Sequence, residues 1–245
     1  MEVHHHSHIP TSREKKWTHY FWEFLMLFLA VFCGFLAEYQ LEHTIEHQRE
    51  KQFAKQLLAD LRADSSFFAR RSASMAVMLK KHEAFYQLMI RTEKPTDREI
   101  LNSCLPLIYT YDILVTTGTY NQMKTSGGLR YIKNENLINA LQKYYEVLLQ
   151  RATRASDFEN SYYANNIDPF MLKYFRIQDF DFLGDSVKTK DPLILNRTNQ
   201  TDQELLNIME VYAGSHRAIR ERLILPITKA INELIDLIKS EYRLK

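Results

Sequence analysis

The sequence predicts an all-α protein, with a single N-terminal transmembrane helix followed by an irregular helical-bundle domain. Three features carry that expectation. Phe24 to Ala37 is an apolar run of fourteen residues without interruption. Glycine and proline are scarce, six of each in 245 residues, so long stretches default to helix. Apolar residues then recur at three- and four-residue spacing along much of the remaining chain.

Composition narrows the function classes. Apolar residues make up 45% and charged residues 25%, a globular rather than disordered balance. With 32 basic and 30 acidic residues the net charge is only +2. Nucleic acid is attracted by concentrated positive charge, so no nucleic-acid partner is expected. Two cysteines, Cys33 and Cys104, do not make a disulfide framework.

Fourteen apolar residues fall short of the roughly 20 that cross a bilayer. Tyr20, Phe21 and Trp22 on one side and Tyr39 on the other extend the run to a transmembrane helix over 20–39, with aromatic residues at both interfaces. Its one charge, Glu23, lies in the first turn, near headgroup depth and at the favourable end of the helix dipole. A buried core helix would need covering on every side. A cleaved signal peptide would need a small-x-small site, which Phe35-Leu36-Ala37-Glu38-Tyr39 does not offer. Arg13, Lys15 and Lys16 precede the run, whereas Glu38, Glu42 and Glu46 follow it and the next basic residue is Arg49. The positive-inside rule therefore makes 1–19 a cytoplasmic His-rich tail and sends 40–245, a mainly helical domain, across the membrane. The run is an uncleaved signal anchor with its N-terminus inside.

Beyond the membrane, Leu41, Ile45, Phe53, Leu57, Leu58 and Leu61 continue a helical stripe. Asp64-Ser65-Ser66 is the expected turn or kink, and a second helix runs through Phe67, Phe68, Met75, Met78, Phe85 and Met89 to about Arg91. Thr96 and Glu99 form a capping box opening a helix to about Thr116, kinked or split at Pro106. Ser126-Gly127-Gly128 is a turn, followed by a short alternating stretch from Leu129 to Ile132. The next helix starts near Asn134, carries Leu137, Leu141, Tyr144, Tyr145 and Leu148 on one face, and should end at Asn165 to Pro169. After an irregular stretch over 170–198, Thr201 and Glu204 suggest a second capping box before a last helix, kinked at Pro226 and reaching Tyr242. Five or six helices result, in a bundle with one irregular insertion.

Candidate chemistry is sparse. His43-Thr44-Ile45-Glu46-His47 satisfies H-x-x-E-H, in which two histidines one turn apart hold zinc and a glutamate is the base, and Glu50 lies one turn further. His43, His47, Glu46 and Glu50 are thus candidate metal ligands, against a polar helix face just outside the bilayer as the simpler reading. His4, His5, His6 and His8 in the tail can bind a soft divalent metal without fixing its geometry. Tyr144, Tyr145, Ser126 and Gly127 are candidate ligand or interface residues, since large amphipathic rings suit polar-lipped pockets. One apolar pocket lined by Tyr144, Tyr145 and the aromatics of 170–182 would favour ligand binding. Cys104 with His82 imitates a nucleophile and base without any sequence relation between them, and Arg70-Arg71 with Lys80-Lys81 reads as a solvated helix face. No catalytic residue and no cofactor is assigned.

Glu23, then His43, Glu46, His47, Arg49 and Glu50, then Leu57, Asp60, Leu61 and Asp64 form a succession with a counterpart elsewhere. So do Tyr120, Met123, Ser126, Gly127, Leu129, Ile132, Asn134, Leu137, Leu141, Tyr144 and Tyr145. In these positions the chain resembles a family of single-pass membrane proteins of Bacteroidota with a domain of unknown function. The resemblance spans about residues 1–70 and 119–150 and implies single-pass anchoring in the bacterial inner membrane of a Gram-negative cell, with 40–245 as a periplasmic domain, but no activity. The leading expectation is a membrane-anchored interaction or scaffold protein, partnered by the lipid bilayer and by another protein or a second copy of itself. A periplasmic ligand- or metal-binding sensor-like domain and a zinc-dependent peptidase are the alternatives.

Overall fold

The computed structural model describes residues 14–110, 112–176, 180–181, 186–187 and 193–244, and its fold is all-α. It divides into two compact units, Met1–Lys51 and Gln52–Lys245.

Helix α1 (Glu14–Ile90) supplies the described part of the first unit. Large apolar side chains point outward all round it, with Trp17 82%, Phe24 65% and Phe35 67% exposed. Phe24, Phe28 and Phe32 stack one turn apart, with ring centroids 6.3 and 5.9 Å apart. The charge within the apolar stretch, Glu23, meets His19 one turn earlier at 3.1 Å. A helix satisfies its own backbone hydrogen bonds, so an all-round apolar surface suits hydrocarbon. The segment is long and apolar enough to cross a membrane, and none of its apolar window is buried.

Three long helical rods build the second unit. The first is α1 over residues 52–90. The second covers 135–174 and consists of α4 (Glu135–Gln142), α5 (Leu149–Tyr162) and α6 (Asp168–Tyr174), joined by the π-helical stretches Lys143–Leu148 and Tyr163–Ile167. The third covers 199–242, with α7 (Asn199–Ile219) joined to α8 (Leu225–Tyr242) through the π-helical stretch Arg220–Ile224. Asp64 meets Tyr144 and Arg71 meets Glu159, so the first two rods run the same way. Ser65 meets Asn232 whereas His82 meets His216, so the third runs against them.

Two rods in the same direction need a return path, which residues 91–134 provide. Helix α2 (Asp97–Cys104) opens on the expected capping box of Thr96 and Glu99. It ends well before Thr116, passing at Pro106 into the 3-10 turn Leu105–Leu107. Residues 108–117, apart from 111, are then non-helical. The Tyr212 hydroxyl donates to Tyr109 O, and Thr116 N donates to Asp64 Oδ1, so the return stretch is pinned to α7 and α1. Helix α3 (Gly118–Thr125) and the 3-10 turn Gly128–Tyr131 complete the path. Leu129 to Ile132 is therefore a turn rather than an alternating strand. Gly127 has φ +72°, which caps α3 in the left-handed region. A Cβ on Gly128 would lie 3.1 Å from the Phe53 ring and 3.3 Å from Met123 Cα. Gly127→Ala should lower stability by about 1 kcal/mol, read as a fall in the denaturation midpoint of the detergent-solubilised chain.

Apolar side chains form two clusters along the rods. One gathers Leu57, Leu61 and Phe68 with Leu141, Tyr144 and Leu148 and with Ile227, Ile231 and Leu234. The other gathers Met78 and Phe85 with Leu101, Cys104, Phe170, Leu193, Met209 and Tyr212. Phe175 bridges to Ile194, closing the base of an excursion in which Phe180–Asp181 pairs antiparallel with Ser186–Val187.

Two expected breaks are absent. Asp64-Ser65-Ser66 makes no turn: the Ser66 hydroxyl bonds back to Arg62 O, while Asp64 and Ser65 reach other rods. Asn165 to Pro169 does not end its helix, and at Pro226, the expected kink, the last helix passes from a π-helical to an α-helical segment. Each proline follows a π-helical stretch, Tyr163–Ile167 or Arg220–Ile224, and sits in the first turn of the α-segment beyond it. A proline lacks the N–H of the i→i−4 ladder and crowds the preceding turn, and the wider π turn absorbs both demands. The second capping box is also displaced, to Thr198 with Thr201.

Candidate functional site

Helical seams in the second unit repeat at alternating four- and three-residue steps, as packed helices require. On α1 the buried succession is Leu57, Leu61, Asp64, Phe68, Arg71, Met75, Met78, His82 and Phe85. On the second rod it is Tyr145, Leu149, Ala152, Ser156 and Glu159, and on α7 it is Leu205, Met209, Tyr212 and His216. Polar residues thus occupy core positions on all three rods, and four of them meet.

Arg71 Nη2 donates to Glu159 Oε2 at 3.1 Å, with side chains only 6% and 2% exposed. His216 Nε2 lies 3.2 Å from Glu159 Oε1, an electrostatic approach rather than an aligned hydrogen bond. On its other edge, His216 Nδ1 is 3.3 Å from His82 Nε2. One ring must donate and the other accept. A proton on His216 Nε2, toward the carboxylate, leaves Nδ1 to accept from His82 Nε2–H. Tyr212 packs against both rings, with centroids 4.3 Å from His216 and 6.1 Å from His82.

Burial sets the charge states. It lowers His82 to about 4, helped by Arg217, and lowers His216 to about 3, helped by His82 and Arg71. Both imidazoles are neutral at pH 7. Burial raises Glu159 to about 7, and the Arg71 guanidinium opposes that rise. The network lies at the boundary of the two apolar clusters, since Met75 closes the first on α1 and Met78 opens the second.

Two further polar anchors hold the return path and the end of the insertion. Asp64 accepts from the Tyr144 hydroxyl at 2.7 Å and from Thr116 N at 2.9 Å. Burial raises its carboxyl despite these donors, and raises the Tyr144 phenol. Asp97 accepts from Leu193 N, Ile194 N and Arg197, and Arg197 also forks onto Asp202. Burial works against the Asp97 carboxylate, yet these donors hold its pKa below the ordinary value.

The residues singled out from sequence are placed as follows. His43 and His47 are exposed; His47 Nδ1 meets Glu50 at 3.4 Å on the same helix, and His43 tilts against Tyr39. Glu46 is half-buried. Among the described residues no group of three His, Cys, Asp or Glu side chains is disposed to hold a metal. His4, His5, His6 and His8 lie outside the described residues. Ser126 and Gly127 form the α3 cap. Tyr144 and Tyr145 are core residues, Tyr145 stacking on Tyr120 with centroids 4.3 Å apart. They do not share a pocket with Phe170 and Phe175, which pack in the other cluster. Cys104 is buried with its thiol pushed up to about 12, and His82 turns to His216 instead. Arg71 is no solvated residue; it is the cation of the buried network. Sequence reasoning missed Glu159 and the pairing of His82 with His216.

No protein-family model matches this chain, and neither a curated protein nor a solved structure is significantly similar to it. Fold and site define a class nonetheless: an all-α bundle on a chain whose N-terminal helix is fit to cross a membrane.

Proposed function

We propose that the protein is a single-pass, membrane-anchored interaction or scaffold protein, with residues 1–19 in the cytoplasm and the bundle in the periplasm. The observation that carries the reading is the outward-facing apolar surface of α1 from Phe24 to Ala37, which has no polar face. The Arg13, Lys15 and Lys16 flank supports the orientation, and the likeness to single-pass proteins of Bacteroidota agrees with it. The interior supports a binding rather than a catalytic role. Its reactive side chains serve to join helices: the imidazoles bond each other, Glu159 holds Arg71, and the Cys104 thiol is packed in apolar surroundings.

In-cell crosslinking of the full chain, with alkaline phosphatase fused after residue 60 in parallel, tests both parts. Active fusions and one recurrent crosslinked protein, or a crosslinked dimer, are expected. Inactive fusions would overturn the orientation. A chain that crosslinks to nothing above background would overturn the interaction role.

A further inference from the structure

On α5, Arg151 and Arg154 stand one turn apart and line a surface cleft whose opposite wall carries Arg222. Ala218, Ile219 and Leu223 complete it. All three arginines are exposed, and among the described residues none of them forms an ion pair with a carboxylate. In a chain with near-balanced charge, these three arginines share one cleft with an apolar floor. Some arginines elsewhere are paired, Arg71 with Glu159, Arg91 with Glu99, and Arg197 with Asp97 and Asp202. The wall bearing Arg222 and Leu223 is the π-helical stretch Arg220–Ile224, and single π turns inside α-helices concentrate at functional sites.

We propose that this cleft binds a phosphomonoester carried on an apolar body. A guanidinium presents a planar fork of donors that matches phosphate oxygens. A carboxylate offers two oxygens and one charge, enough for one fork. A phosphomonoester offers three peripheral oxygens and close to two charges, which suits a cleft lined by three arginines from two helical segments. Ile219 and Leu223 then take the apolar group attached to the phosphate. The proposal goes beyond the anchoring and interaction reading above and is independent of it.

Calorimetric titration of the full chain in maltoside micelles with phenyl phosphate tests it. Phenyl phosphate should bind at least tenfold tighter than benzoate and than inorganic phosphate. Arg154→Gln should weaken it about tenfold, and the triple variant R151Q/R154Q/R222Q should abolish it with helical content unchanged. Arg130→Gln, remote in sequence on the 3-10 turn Gly128–Tyr131, should leave it as it is. Displacement of bound phenyl phosphate by dioctanoyl phosphatidic acid assigns the site to a lipid headgroup; its failure to displace assigns a water-soluble phosphomonoester. Absence of binding, equal binding by the triple variant, or an arginine-dependent preference for an oligoglutamate peptide over phenyl phosphate would overturn the proposal.

Discussion

Glu159→Ala should destabilise the bundle by about 3 to 5 kcal/mol, because it strips the buried Arg71 guanidinium of its carboxylate. For a domain of this size that corresponds to a melting midpoint lower by roughly 6 to 20 °C. The two charges sit at core positions of rods that run in the same direction, so their pairing also sets how far one rod is slid along the other. The double substitution Arg71→Met, Glu159→Leu tells these contributions apart. Removing both charges together avoids a stranded ion, and the double variant should recover most of the lost stability. Thermal and urea denaturation of the detergent-solubilised chain, followed by far-ultraviolet circular dichroism, reads both. A loss of less than about 0.5 kcal/mol in Glu159→Ala, the size of an ordinary surface substitution, would mean that the ion pair carries no weight.

Acid should be the second large effect. His82 and His216 stay neutral in the folded chain down to about 4 and about 3, whereas an unfolded histidine takes up its proton near 6.5. The unfolded state therefore binds more protons below pH 6.5, and stability falls from there until the folded pKa values are passed. Glu159 works the other way. Its pKa is raised from 4.5 to about 7, so the folded state binds the extra proton between those values and gains stability as pH falls from 7 toward 4.5. One histidine is offset over that window and the other is not. The net loss between pH 6.5 and 3 is on the order of 5 kcal/mol. The groups facing the pair are Tyr212 and Arg217 on α7, Arg71 on α1 and Glu159 on α5, and none of them removes the penalty of charging an imidazole there. His82→Gln keeps a donor toward His216 and should remove about half of the acid dependence. A denaturation midpoint flat between pH 6.5 and 4 would contradict the buried neutral pair.

Much of this architecture is written in spacing. The outward-facing apolar helix, the Thr96–Glu99 cap, the Gly127 turn and the Asn134 start are decided within a few residues, and they form as expected. The failures share a cause. Asp64, Ser65 and Ser66 look like turn residues because their side chains compete for local backbone groups, but here they have distant partners instead. Pro169 looks like a stop because a regular α-helix cannot hold it, and only a π turn upstream makes room. The buried network was legible in part. Arg71 and His82 fall on the same three-four stripe as Phe68, Met75, Met78 and Phe85, which marks them as interior positions. Glu159 and His216 fall on stripes of their own. What the stripe does not carry is which charge meets which, since the partners are 88 and 134 residues apart and depend on rod direction.

The parallel course of the first two rods has a consequence in time. Arg71 is synthesised 88 residues before Glu159, and at about 5 to 20 residues per second the guanidinium waits roughly 4 to 18 s for its counter-ion. His82 waits longer, across 134 residues, for His216. Through that interval the seam of α1 has only the return path over 91–134 to pack against, and a wholly apolar stripe of that length would invite association with another nascent copy. Asp64, Arg71 and His82 interrupt it with groups that water solvates well and a like stripe accommodates poorly. The same side chains that lock the finished bundle should thus disfavour pairing of its first helix with another copy while the rest of the chain is still being made.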